Sequence, residues 1–517
     1  MIQGPGGHSG IFMKRFLLLS LLLFLVSSFS LAQTESPSPA VRPPQVAPAP
    51  SNDPPAAASP SLQRPPESSA SIDVDEPAPP PHKLTSDEAK DLLASVDEVL
   101  RFASKDTLLP VKHSVKKAIV SREQVEKYLN EKMESDADRI RFERSELVLK
   151  KFGLLPRDFD LHTFLIKLLA EQVAGYYDEK SKTMNLLDWN EAEMQKPVMA
   201  HELTHALQDQ SYNLEKMSKH EEEIEKHGLD DLDALIRNDE ESTCRTAVLE
   251  GQAMIVLLDY VLAPAGRSVA ETPKLVDFFI RQSTMEKSKD SPIFDSAPLL
   301  LQDELIFPYR QGMNFIKELL VAGGKKMAYT GVLDHLPQTT REVMEPQEYL
   351  AGRRVAPLFL PDLGFLKKNY EAYDAGAVGQ LDVEILLKIY ADESVADRLN
   401  HEWRGGAYYA AGRKGVKPPD KNSSAHVGLY YISKWSSEAA AKEFAKVYAA
   451  ALPSRYTGLQ HGAADASHPG LDKYQSADGP IFIQQTGTAV VAVESFDPDA
   501  ADKLIQAGLK QAQVSGQ

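Results

Sequence analysis

The sequence predicts an α+β protein: a mainly helical unit with a small edge sheet from residue 84 to 355, then a smaller α+β unit from 356 to 517. Three observations carry this. Capped apolar stripes at helical spacing recur from Thr85 onward. A strand–turn–strand pattern interrupts them at "GYYDEKSKTMNLL". After about residue 380, helical runs mix with strand-like ones such as "HVGLYYISKW" and "TAVVAVESF". With 517 residues and 43% hydrophobic content, the chain can fill two or three sizeable cores.

The elements follow in order. Residues 1–32 have the layout of a signal peptide: basic Lys14 and Arg15, an apolar run from Phe16 to Val26, and Ser30-Leu31-Ala32 before Gln33. That run is short for a membrane span, and no later stretch reads as long and apolar enough to cross a bilayer. The expected product is therefore secreted or periplasmic, with no stable span after cleavage. The single cysteine, Cys244, excludes an intrachain disulfide, which suits either a reduced compartment or an exported protein whose core is large; the signal-peptide layout favours export. Residues 33–83 contain 15 of the chain's 34 prolines and read as a disordered, extended linker.

Folding starts with the capping box Thr85/Glu88, followed by Ala89, Leu92, Leu93, Val96 and Leu100 on one helical face. A second box, Ser121/Gln124, opens the next helix, and a third runs through "DLHTFLIKLLAEQVAG". The hairpin turns at Asp178 to Lys182. The helix after it carries "MAHELTHALQDQ", with Pro197 placed in its first turn. Another helix, strongly apolar, is expected from Ser242 to Tyr260. In the second unit, a helix "LDVEILLKIYADESVADRL" leads to the Gly- and Tyr-rich "WRGGAYYAAG", then to strands, an alanine-rich helix and a final helix. The net charge of −17 argues against a nucleic-acid partner, because a phosphate backbone needs a basic face.

At 100° per residue, His201 and His205 fall within about 40° of each other on one helix face. Met199, Leu203, Ala206 and Leu207 gather opposite, and Glu202 stands beside the histidines. Two neutral imidazoles with a carboxylate next to them suit Zn2+ and the activation of a water. From 13 histidines and 74 acidic residues, chance would produce such a pattern roughly 0.05 times in this chain. A catalytic zinc wants a third protein ligand, and no third histidine follows at metzincin spacing. Glu250 is the best candidate, the one charged residue in the mostly apolar run from Ala247 to Leu258. A salt bridge to Arg245 is its bland alternative. Asp239, Glu240 and Glu241 are rivals in a polar lead-in where a solvated face suffices. His220 and His227 read as surface residues.

"HELTHA", with Asp209 four residues after His205 and a helical glutamate downstream, resembles the gluzincin side of the zincin metallopeptidases. More closely, the chain resembles a mostly uncharacterised family of exported bacterial zincins, through "GLLPRDFDLHTFLIKLLAEQVAGYYDEKSKTM", "MAHELTHALQDQSYNL", "AVLEGQA", "FPYRQGMNFI" and "PQTTREVMEPQEYL". The resemblance spans about residues 153 to 350, with looser similarity at "WRGGAYYA". It implies a zincin-like fold in which the hairpin supplies an edge strand for a peptide substrate. The chain departs from the pattern in its long gap from His205 to Glu250. It also carries Met254 where thermolysin-like enzymes have an acidic residue, and Arg341 and Glu345 where Glu and His are expected.

An oxyanion donor is also needed; Tyr309 and Arg310 are candidates, with His335 weaker. Gln208 or Asp209, about one turn after His205, can orient an imidazole or simply occupy the helix surface. The leading expectation is an exported zinc peptidase acting on peptide or protein substrates, with His201, His205 and Glu250 on the metal, Glu202 as base and Tyr309 as oxyanion donor. The alternative is a non-catalytic envelope binding or scaffold protein that keeps the fold. A third reading is a processing enzyme held inactive by the C-terminal unit. N-terminal sequencing of the exported protein should find Gln33 first; a product that keeps Phe16 to Val26 would instead mean an anchor.

Overall fold

The computed structural model describes residues 83–133, 136–285, 291–416, 423–463 and 468–514. The expected signal peptide and nearly all of the expected linker lie outside them.

Helix α1 (Ser86–Thr107) opens on the anticipated box. The Thr85 hydroxyl accepts from the Glu88 N–H at 3.3 Å, and Glu88 accepts from the Thr85 N–H at 2.8 Å. Its buried stripe is Leu92, Val96, Val99, Leu100 and Ala103. Strand β1 (Lys116–Val120) follows, then α2 (Arg122–Met133), whose Ser121/Gln124 box is also formed. Next come α3 (Asp136–Phe152), α4 (Leu161–Gln172) and the hairpin of β2 (Tyr176–Asp178) and β3 (Thr183–Leu187). The hairpin was legible in the sequence; β1 was not. "KKAIV" has no clear alternation, and it becomes a strand by pairing in parallel with β3, which lies at the centre of the order β1-β3-β2.

Helix α5 (Ala192–Tyr212) begins earlier than expected, so Pro197 sits in its second turn and not its first. The cause is Gln195, whose amide accepts from Leu187 N–H and donates to Leu187 O, both at 2.9 Å. That pairing holds the chain against β3 before the proline is reached. The carbonyl left without a donor by Pro197 belongs to exposed Glu193, where water can serve it.

After α6 (Leu214–His227) comes α7 (Leu232–Leu262), which starts ten residues ahead of the expected Ser242 because Asp231 caps it through the Ala234 N–H. Extended to Ala265, this segment is long and apolar enough to cross a membrane, contrary to the sequence expectation. Here 78% of its most apolar window is buried within the fold, and Cys244 lies there with no exposure. Helices α8 (Lys274–Met285) and α9 (Leu299–Lys325) follow. Helices α7 and α9 cross closely: a Cβ on Gly251 would lie 2.3 Å from the Gly312 carbonyl, and one on Gly312 2.1 Å from Ala247 O. Only glycine permits that approach.

A π-helical turn (Lys326–Gly331) and the short α10 (Thr340–Met344) lead to the second unit. Strand β4 (Tyr370–Ala377) precedes two helices, α11 (Gln380–Tyr390) and α12 (Glu393–Asn400), where one was expected; Asp392 caps a fresh start. Then come β5 (Trp403–Arg413), the Gly- and Tyr-rich segment, β6 (Val427–Trp435) and the alanine-rich α13 (Glu438–Arg455). Strands β7 (Gln460–His461), β8 (Leu471–Ser476), β9 (Gly479–Thr486) and β10 (Ala489–Glu494) and helix α14 (Pro498–Val514) finish the fold. The seven strands form one antiparallel sheet, β4-β5-β6-β10-β9-β8-β7. The protein is thus α+β, with a helical first part.

One hydrophobic core runs from Leu92 to Ala492, across the boundary expected near residue 355. Asp239 and Glu240 stitch the two parts together. Asp239 accepts from the Ala377 N–H at 2.9 Å, and Glu240 from the Thr340 N–H at 2.8 Å. They are buried, so the solvated lead-in expected there is corrected: the Asp239 charge meets a backbone donor of the following unit, and the Glu240 charge meets the N–H of Thr340 in α10, whose hydroxyl in turn accepts from the Gln380 N–H at 3.0 Å. Arg341 pairs with Glu345 at 2.7 Å and donates to His401 O at 2.8 Å, a second fastening of α10 to the C-terminal unit.

At the far end of α7, burial and the facing Asp106 push the Asp259 carboxyl up to about 7, while Lys325 pairs with Asp106. The folded state therefore holds a proton that the unfolded chain has released, and stability falls as pH rises from about 4 through about 7. Asp259→Asn keeps an acceptor for the Val269 N–H, now 2.5 Å away, and removes the charge. Thermal melts at pH 5 and 8 should show a flatter pH dependence in the variant, and at pH 8 a midpoint above wild type by a few degrees, on the order of 1 kcal/mol. An unchanged slope would refute the assignment.

Candidate metal centre

The helical spacing of His201 and His205 puts both imidazoles toward α7, where Glu250 meets them. The distances are 3.0 Å from His201 Nε2 to Glu250 Oε2, 3.4 Å from His205 Nε2 to the same oxygen, and 3.1 Å between the two Nε2 atoms. Four-coordinate zinc binds nitrogen and oxygen at about 2.0–2.2 Å, which places ligand atoms of a tetrahedron roughly 3.3 Å apart. The triangle matches one face of such a polyhedron. His201, His205 and Glu250 can therefore hold a metal ion.

All three are buried, with Glu250 and His201 at 0% exposure. Two polar atoms of the triad, His201 Nδ1 and Glu250 Oε1, have no hydrogen-bond partner among the described residues. Spare donor capacity on a buried carboxylate fits a cation beside it. The protein's own charges already compensate one another. Burial alone would lower the His205 pKa, yet the Glu250 carboxylate pushes it up to about 9. Burial would likewise raise Glu250, yet His205 and His201 bring it down to about 2. An incoming cation takes the place of that proton, so binding releases it.

The competing third ligands fall away by position. Arg245 pairs with Glu221 and not with Glu250. Asp239 and Glu240 serve the junction described above, and Glu241 is half-buried nearer Arg237. His220 and His227 are exposed, as read from the sequence.

Around the triad, the His205 Nδ1–H donates to Gln208 Oε1 at 2.8 Å, so Gln208 is the residue that orients an imidazole. Asp209 does not. It accepts from Tyr177 OH at 2.8 Å, Lys182 Nζ at 2.8 Å and Leu214 N–H at 3.1 Å, and so latches the hairpin onto α5. Glu202 stands outside the ligand triangle, and its Oε2 accepts from the Tyr177 backbone N–H at 2.8 Å. The crossing at Gly312 brings Tyr309 to the site, its ring centroid 6.3 Å from that of His201 and nearly parallel to it. Arg310, also on α9, is held by burial below the ordinary arginine range and sits among Asp303 and Glu384. His335 is exposed near the π-turn, 3.4 Å from Gly331 O.

Sequence reasoning missed Tyr177 and Gln252. Tyr177 acts partly through its backbone, which leaves no side-chain signature. Gln252 carried a signal: with Glu250 it is the only polar side chain between Ala247 and Leu258, and a buried amide needs partners as a buried charge does.

Comparison with known protein families matches residues 368–505 to a domain of unknown function, DUF8575. The match covers the seven-stranded sheet and leaves the metal centre outside it. No curated protein matches the chain, and no solved structure does.

Replacing Glu250 by Gln should weaken binding of a divalent metal by more than the roughly 100-fold that loss of an outer-shell partner costs, because an amide is a poor ligand. Glu241→Ala should leave the metal content unchanged. Metal analysis after dialysis tests both, and a content that follows Glu241 would refute the ligand set.

Proposed function

We propose that this protein is an exported, zinc-dependent peptidase acting on peptide or protein substrates in the periplasm or outside the cell. The observation that carries the reading is the ligand triangle of His201, His205 and Glu250, with edges of 3.0 to 3.4 Å and Glu202 on the adjacent helix position. When bound, zinc would supply Lewis acidity, lowering the pKa of water and polarising a carbonyl.

The chain's own residues take the remaining roles. His201 and His205 present imidazole nitrogens, and Glu250 contributes the single charge of the ligand set. Glu202 takes the proton of the attacking water and later returns it to the leaving amine. Its orientation is set by the Tyr177 N–H on Oε2. Tyr309, buried against His201, is the assigned donor to the developing oxyanion. The resemblance of "MAHELTHALQDQSYNL" and "AVLEGQA" to exported zincins supports the same reading.

One observation favours the non-catalytic alternative. The centre is enclosed, with Glu202 only 1% exposed, and Glu202 occupies an amide of edge strand β2 that a peptide would use. A peptidase of this design has to release the hairpin before substrate enters.

Glu202→Gln decides between the two. The variant should keep its metal and lose cleavage of an unfolded protein by at least about 100-fold, the scale of a lost general base. Full activity in the variant would sink the mechanism. A metal-loaded wild type that cleaves nothing would leave the scaffold reading.

A further inference from the structure

Behind His205 lies a chain of buried amides that ends on the π-helical turn. Gln208 Oε1 is 2.8 Å from His205 Nδ1, and Gln208 Nε2 lies 2.9 Å from Gln252 Oε1 and 3.1 Å from Leu249 O. Gln252 Nε2 lies 2.7 Å from Ala328 O and 3.0 Å from Tyr329 O. Both glutamines have no exposure to water.

A carboxamide can be turned end for end, so its direction has to be argued from its neighbours. Here the carbonyls decide. Ala328 O and Tyr329 O only accept, so the end of Gln252 that faces them must be its NH2 group. Its oxygen then faces Gln208, which must answer with its own NH2. Leu249 O, a third group that only accepts, requires the same orientation independently. Gln208 therefore offers an oxygen to His205, whose Nδ1 must carry a proton, and Nε2 is left to face Glu250 and His201. Turning either amide would set oxygen against oxygen and N–H against N–H in a dry interior. Each buried group left unpaired loses its hydrogen bond with no water to replace it.

We propose that Gln252 is a positioning residue of the metal centre. Together with the π-turn of Lys326–Gly331, it fixes the direction of the Gln208 amide and so commits His205 to present Nε2 to a divalent cation. The inference rests on the metal-binding reading of His201, His205 and Glu250, and not on peptidase activity. It makes the two histidines unequal. His205 is oriented by a relay that reaches a separate part of the chain, whereas His201 Nδ1 has no partner among the described residues. A π-turn is rare and concentrated at functional sites, and this one presents two successive carbonyls to a single amide.

The test is competitive titration of the full chain with Co(II) and Zn(II) in Gln208→Met, Gln252→Met and the double variant, with the Co(II) d–d spectrum as a second readout. Gln208→Met should weaken binding about 10–100-fold, the range for an outer-shell partner of a ligating histidine. Gln252→Met should weaken it about 10-fold and shift the Co(II) bands. Because Gln252 acts through Gln208, the double variant should be no weaker than Gln208→Met alone. Losses that add, or a Gln252→Met protein with wild-type affinity and spectrum, would overturn the relay while leaving the metal site intact. A wild type that binds neither ion would overturn both. Should the variants fail to fold, 15N-histidine NMR of the zinc-loaded wild type reads the same point: His205 should show a protonated Nδ1 and a metal-bound Nε2, and the opposite pattern would refute the proposal.

Discussion

An ionised carboxylate shut away from water has to be neutralised where it sits, and Glu250 is such a group near the middle of α7, the longest helix among the described residues. Isolated, it would be too costly to keep charged. His201 and His205 compensate it within 3.0 and 3.4 Å, and most of the local architecture serves that meeting. Helix α5 must present two histidines on one face toward α7. Helix α9 must pass close behind, which the Gly251–Gly312 contact allows and which brings Tyr309 to His201. The same buried helix carries Gln252, whose amide closes the polar path from His205 to the π-turn.

The hairpin is tied to this centre by side chains that look, in one dimension, like part of the motif itself. Glu202 holds the Tyr177 N–H, and Asp209 holds the Tyr177 hydroxyl and Lys182. These contacts keep the strand beside the helix and shield the triad from water, which strengthens every electrostatic interaction inside. They also mean that, on the proposed reading, access and chemistry are coupled: the carboxylate proposed for proton transfer is one of the groups fastening the strand. Movement of the hairpin and freeing of Glu202 are then a single event.

The C-terminal sheet is more than an appendage. Its strands share a core with the helical part, and the buried carboxylates of Asp239 and Glu240 reach from α7 to backbone donors at Ala377 and Thr340. Those two residues lie about three turns before Glu250 on the same helix.

Much of this was legible in one dimension, because the signals were local. The Thr85/Glu88 and Ser121/Gln124 boxes, the hairpin turn and the spacing of His201 and His205 depend on residues a few positions apart. Glu250 could be singled out because a charge in an apolar helical run needs a partner, wherever that partner comes from. The sequence could not say which partner. Arg245 and the two histidines were both open, and only the approach of α5 to α7 chose between them. The same holds for Asp209, which the motif's spacing put near an imidazole and the fold turned toward Tyr177 and Lys182. Strand β1, the early starts of α5 and α7, the burial of Asp239 and Glu240, and the continuity of the core across residue 355 were likewise decided by tertiary contacts. Periodicity and capping report what a segment can become on its own. Which surface covers it, and which distant donor satisfies its buried groups, is set only when the whole chain has packed.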